Sequence, residues 1–191
     1  MNFRYLKPKE TECRIGRVIN TPNFKGVMLL IYKNARVDMD ILDETVGAEN
    51  WQREHYECKG NLFCKVSINI NHNKPDKEPH FIGKADCGSE SNTEKEKGES
   101  SDSFKRACVN WGIGRELYTA PTILVSDCNI DEKGKCNDKF YVREMTVEDG
   151  KITHLVIYNG AKNIKQNVFE YPKPQNYERP NAQSYEYQIQ R

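Results

Sequence analysis

The sequence predicts an α+β fold, an antiparallel β-sheet with a long helix packed on it. Three observations carry this. Leu62, Cys64, Val66, Ile68 and Ile70 alternate with polar residues, the pattern of a strand with one wet face. Trp51–Cys58 precedes that run across Lys59-Gly60-Asn61, a glycine-containing turn, so the two segments read as a hairpin. Further on, Phe104, Ala107, Cys108 and Trp111 recur at helical spacing and give one apolar face to lay on the sheet.

In chain order, Arg14 to Asn20 reads as a strand and Gly26 to Tyr32 is a second apolar run. Asn34 is placed to cap a helix over residues 35–46, with Val37, Ile41, Leu42 and Thr45 on one face and Gly47 as its stop. After the hairpin, a polar turn containing Pro75 and Pro79 leads to a third strand, His80 to Asp86. Thr93-Glu-Lys-Glu96 has the form of a capping box opening the long helix, which runs to Trp111 with Gly112 at its stop. On that helix Arg106, Asn110 and Ser103 are expected opposite the apolar face, with Lys105 flanking it. After Pro121 come strands at Thr122 to Asp127, Phe140 to Val147 and Ile152 to Tyr158, the last two joined by a turn at Asp149-Gly150. Residues 171–191 contain Pro172, Pro174 and Pro180 and few aliphatic residues, and read as a flexible tail. The organisation expected is a basic N-terminal segment (1–26), one domain (27–160) and a flexible C-terminal tail (161–191).

Charge and composition exclude several classes. The 191 residues carry 29 basic and 28 acidic groups, a net charge of +1, so any anion site is a local patch and not a global field. Residues 1–33 hold seven basic and two acidic groups, whereas 34–60 hold three and seven. That complementarity suggests a contact between copies of the chain. The longest apolar run, Val27 to Ile31, is far shorter than the roughly 20 residues of a membrane helix, so no membrane partner is expected. Met1 to Glu12 is charged and lacks the apolar core of a secretory signal; the expectation is a cytoplasmic protein. Seven cysteines, an odd number without any CxxC pair, fit reduced thiols better than a disulfide or zinc framework. A thiol or metal role for Cys58, Cys64, Cys128 and Cys136 is the lesser reading.

No enzyme is predicted and no cofactor is implied. The four histidines (His55, His72, His80 and His154) are scattered, and none forms an HxH or HxxxH pair. GxSxG, Walker A and GxGxxG motifs are absent, and Gly112-Ile-Gly114 follows a helix where a phosphate loop would precede one. What remains is a cationic set beside aromatics. Arg53, Lys65 and Lys84 come from three strands, and Lys105, Arg106 and Arg115 from the long helix and its exit. On one sheet with the helix above it, several of these charges can line a groove for a sugar–phosphate backbone, with Tyr56, Phe81 or Tyr118 offering stacking faces.

Three segments carry a more specific signal. Leu29 to Gly47, continuing into Glu49-Asn-Trp-Gln52, is followed by Glu90 to Ala107 with its Ser101-Asp102…Lys105-Arg106-Ala107 pattern, and then by Trp111-Gly-Ile-Gly-Arg-Glu-Leu-Tyr118. Over residues 27–121 this combination resembles the bacterial and phage branch of the Rad-fifty-two superfamily of single-strand annealing proteins, which includes DdrA-like and Sak-like proteins. The resemblance implies a β-β-β-α core in subunits assembled side by side into homo-oligomeric rings or helical filaments. It also implies single-stranded DNA held by its phosphates in a basic groove with the bases exposed, for ATP-independent annealing in recombination and repair. By motif, Lys105 and Arg106 match the lysine–arginine pair that contacts the DNA backbone in that family. Its eukaryotic members have a further arginine one helical turn later, where this chain has Val109; Arg115, or Arg53 and Lys65 of the hairpin, are the compensating candidates. The family analogy also allows the tail to recruit a single-strand-binding protein. The alternative is a protein-interaction or scaffold module on the same fold that does not bind DNA.

Overall fold

The structure, a computed structural model, describes residues 1–88, 95–162 and 166–173. Its elements are β1 (Thr11–Thr21), β2 (Phe24–Lys33), α1 (Ala35–Val46), β3 (Trp51–Cys58), β4 (Asn61–Asn69), β5 (Phe81–Cys87), α2 (Lys95–Trp111), β6 (Ile123–Val125), β7 (Phe140–Glu148), β8 (Lys151–Asn159) and β9 (Asn167–Tyr171). They form an α+β fold with two antiparallel sheets, ordered β3-β4-β5 and β6-β2-β1-β7-β8-β9.

The smaller sheet is the hairpin and third strand expected from the sequence. Trp51 opposes Ile68 and Cys58 opposes Asn61 across the hairpin, while Ile82 opposes Ile68 from the other side. Cys64, Val66 and Ile68 are fully buried on one face, against Phe104, Ala107 and Cys108 of α2 and Ile41 and Leu42 of α1. Burial of apolar surface between helix and sheet is the main force here; truncating a side chain as enclosed as Phe104 costs roughly 3–5 kcal/mol. Polar contacts fix the helix lengthwise. The Trp111 indole donates to the Val66 carbonyl at 2.9 Å, and Glu99 accepts from the Leu62 amide at 3.0 Å.

α1 begins as its sequence demands: the Asn34 side chain accepts from the Arg36 amide at 3.0 Å. The two expected stops, Gly47 and Gly112, have φ of +86° and +106°, a region open to glycine and costly to other residues. The capping box at Thr93 lies outside the described residues, as does the chain beyond Lys173. Ser103, expected on the outer face of α2, is instead fully buried. It sits one turn before Ala107, and its hydroxyl satisfies itself on the Ser100 carbonyl at 3.0 Å. Asn110 likewise turns back to the sheet and donates to the Ala85 carbonyl at 3.1 Å.

The six-stranded sheet is the part the sequence revealed least. β1 lies in its middle, paired with β2 along nearly its whole length and with β7 at Glu12↔Tyr141. The basic N-terminal segment therefore shares a sheet with the strands after Pro121, and Leu6 is buried in the core beneath α1 and α2. The edge strands β6 and β9 approach one another, so the sheet curls around Val27, Leu29, Ile123, Leu155 and Ile157. Asn167–Tyr171, which falls within the segment expected as a tail from residue 161, instead pairs with β8 as an edge strand. Met145 packs against both hydrophobic clusters and ties the two sheets together.

Part of the charge complementarity between the N-terminal segment and residues 34–60 is used inside the chain. Arg4 bridges Glu10 at 2.8 Å and Glu44 at 2.5 Å. No helix among the described residues is long and apolar enough to cross a membrane.

Candidate nucleic-acid interface

The β1–β2 hairpin and the outer side of α2 face each other across a groove of about 640 Å³. The hairpin supplies Arg14 and Tyr32; α2 supplies Lys105, Arg106 and Val109, and Tyr118 follows from the turn after the helix. Two of the six cations singled out in the sequence therefore meet in this groove. Arg106 is exposed, 3.4 Å from Asp86 of β5, and Lys105 is half-buried, 3.8 Å from Asp102 one turn earlier. Both ion pairs are long and solvated, so a phosphate can replace them at little cost.

The other four cations stand elsewhere. Arg53 and Lys84 lie on the helix side of the smaller sheet, both in register with Val66. The Arg53 guanidinium sits 5.1 Å from the centre of the Phe104 ring, and the Lys84 ammonium 4.5 Å from that of Trp111, cation–π contacts that roof the apolar seam. Lys84 also donates to the Asn110 carbonyl at 2.9 Å, at the C-terminal end of α2 where positive charge is favoured. Lys65 occupies the opposite face, because strand side chains alternate and its neighbours Cys64 and Val66 point at the helix; it pairs with Glu54 at 2.7 Å. Arg115 closes the end of α2, donating to the Val109 carbonyl at 2.9 Å and the Asn110 carbonyl at 3.1 Å.

Arg14 and Tyr32 were not among the residues selected from the sequence. Their signal was the basic excess of residues 1–33, but only the pairing of β1 with β2 brings them opposite α2. The Arg14 guanidinium lies 6.0 Å from the centre of the Tyr32 ring, and the Tyr32 hydroxyl donates to Glu12 at 2.6 Å. That hydrogen bond to a carboxylate, helped by partial burial, pushes the phenol up to about 12 and keeps it neutral.

Beneath the groove lies a buried ion pair. Lys33, at the end of β2, donates to Asp38 of α1, and both are almost wholly buried. Its ammonium also reaches the Lys105 carbonyl at 3.4 Å, linking the hairpin, α1 and the groove-lining turn of α2. The second oxygen of Asp38 has no hydrogen-bond partner. Burial pushes this carboxyl up to about 6 despite the Lys33 charge beside it.

Among the described residues, no group of three or more His, Cys, Asp or Glu side chains is placed to hold a metal ion. Cys58 and Cys64 belong to the smaller sheet, whereas Cys128 and Cys136 pack against the core of the larger one, so the four thiols do not converge.

No curated protein and no solved structure matches the chain. A family model does, that of the Rad52/22 family double-strand break repair protein, over residues 5–136. The match starts earlier and ends later than the resemblance read from the motifs, and it takes in every residue of the groove. Spanning well over half of the 191 residues, it shows that this chain belongs to the Rad52/22 family of double-strand break repair proteins.

Proposed function

We propose that the chain binds single-stranded DNA in the groove between the β1–β2 hairpin and α2, and anneals complementary strands without bond chemistry or ATP. The observation that carries this reading is the convergence of Lys105, Arg106 and Arg14 on one groove, beside Tyr32 and the exposed Tyr118, in a member of a repair family. Annealing requires two strands relieved of mutual repulsion, held extended and released once paired. Phosphate contacts from long, solvated cations meet that requirement, since they are insensitive to sequence and reversible. With few cations per subunit, tight binding comes from copies assembled side by side, in a ring or filament, each adding a weak contact along one strand. The motif likeness supports a reading in which the chain belongs to the bacterial and phage branch of the family and works in recombination.

The test replaces Lys105 and Arg106 together by alanine. Both side chains reach solvent, so the fold should persist with an unchanged melting temperature. Single-strand affinity should fall, and the dependence of log K on log salt should flatten by about 1–1.5, as expected for two lost phosphate contacts. A double variant that binds like the wild type removes this pair from the interface.

A further inference from the structure

The outer face of the six-stranded sheet carries a row of rings running away from the groove. Tyr32 of β2 opposes Glu12 of β1, Glu12 opposes Tyr141 of β7, and Tyr141 opposes Tyr158 of β8. Four strands thus place three tyrosines and one carboxylate in a line, and its first ring is already part of the groove wall. Tyr141 and Tyr158 stack with ring centres 5.3 Å apart and planes 24° from parallel. Tyr141 is nonetheless 44% exposed, and it lies so close against Gly160 that a Cβ there would stand 2.7 Å from the ring. Positive charge flanks the row: the Arg143 guanidinium is 4.9 Å from the centre of the Tyr158 ring, and Arg14 lies over Tyr32.

We propose that this row is a second part of the DNA site, where unpaired bases of a strand leaving the groove stack on Tyr141 and Tyr158. The proposal rests on the groove reading above. It extends that reading to residues beyond the family match, which ends at 136. The charges say which part of a nucleotide belongs on the row. Glu12 sits in its middle and repels phosphate, while Arg14 and Arg143 at its sides attract it, so the backbone runs along the flanks and the neutral bases lie across the rings. One oxygen of Glu12 is taken by the Tyr32 hydroxyl, and a carboxylate beside a base is an acceptor for exocyclic amino groups. Continuity with the groove and this alternation of charge favour a nucleic-acid strand over a protein partner.

The experiment compares a labelled oligothymidine with a strand of equal length that is abasic at most positions, using the full chain. The wild type should prefer the base-bearing strand. Tyr141→Leu and Tyr158→Leu should each reduce that preference about tenfold, with the salt dependence unchanged because phosphate contacts remain. Tyr141→Phe, which keeps the ring, should bind like the wild type. A second measurement needs no variant: a strand carrying 5-iodouracil, irradiated on the wild-type protein, should cross-link to Tyr141 or Tyr158. Leucine variants that keep the full preference, or cross-links confined to residues 101–118, overturn the proposal and leave the row as ordinary sheet packing. A wild type that binds neither strand would instead refute the groove reading itself.

Discussion

Replacing Asp38 by leucine removes a carboxylate that is fully buried, with one oxygen on the Lys33 ammonium and the other without a partner. The variant strands a lysine that is only 4% exposed, and an uncompensated buried charge of this kind costs about 3–5 kcal/mol. Lys33→Met is expected to cost a similar amount by stranding Asp38. The double variant Lys33→Met/Asp38→Leu should recover wild-type stability or exceed it by about 1–4 kcal/mol, because both desolvation penalties disappear together. The carboxyl itself gives an independent magnitude. Its rise from 3.8 to about 6 amounts to roughly 3 kcal/mol against the ionised form at neutral pH. A raised folded-state value means that this group's contribution is full below about pH 4 and is lost as pH climbs through about 6. Denaturant unfolding of all four proteins at pH 7.5 and at pH 5 measures both effects. The double variant should gain on the wild type between pH 5 and pH 7.5. Single-variant losses that simply add in the double variant would refute the reasoning, since they would mean the two charges are not coupled.

Other outcomes follow from the same structure. Arg115→Ala removes the guanidinium that satisfies the Val109 and Asn110 carbonyls, and should lower stability by about 1 kcal/mol while leaving the salt dependence of DNA binding nearly unchanged. Arg4→Ala should loosen the N-terminal segment and make it more accessible to protease. Arg4 holds Glu44 below its usual range. At Glu10 burial pushes the carboxyl up, but Arg4 together with the Lys7 amide outweighs it and holds it low. The stability Arg4 supplies is therefore present above the carboxylate range and fades as pH falls; the variant's acid unfolding profile should be flatter. Under native conditions a maleimide should modify exposed Cys58 first and leave Cys64 and Cys108 untouched, since burial pushes the Cys64 thiol up to about 11 and Cys108 higher still. Mass spectrometry of the modified peptides reads this directly.

Local features were legible in the sequence because local physics decides them. The Asn34 cap, the Gly47 stop, the alternation in β4 and the apolar face of α2 all follow from neighbours a few residues away. The position of β1 between β2 and β7 was not legible, because pairing strands more than a hundred residues apart leaves no mark on either segment. That pairing is also what puts Arg14 and Tyr32 across from Lys105 and Arg106, so half of the groove was invisible beforehand. The side of the sheet on which Lys65 lies was readable from strand alternation, since its neighbours Cys64 and Val66 are the core residues. Arg53 and Lys84 looked like free cations, and only the packed rings of Phe104 and Trp111 reveal them as roofing contacts. Ser103 was misplaced because a hydroxyl that bonds its own helix backbone can be buried as easily as a methyl group.

The most direct test of the account is fluorescence anisotropy of a labelled strand of thirty to fifty nucleotides, titrated with the full chain over a salt series and compared with a duplex of the same length. The account predicts binding that prefers the single strand and weakens steeply with salt, and that declines when Lys105 and Arg106 are replaced. No binding at low salt, or equal binding to the duplex, would contradict it.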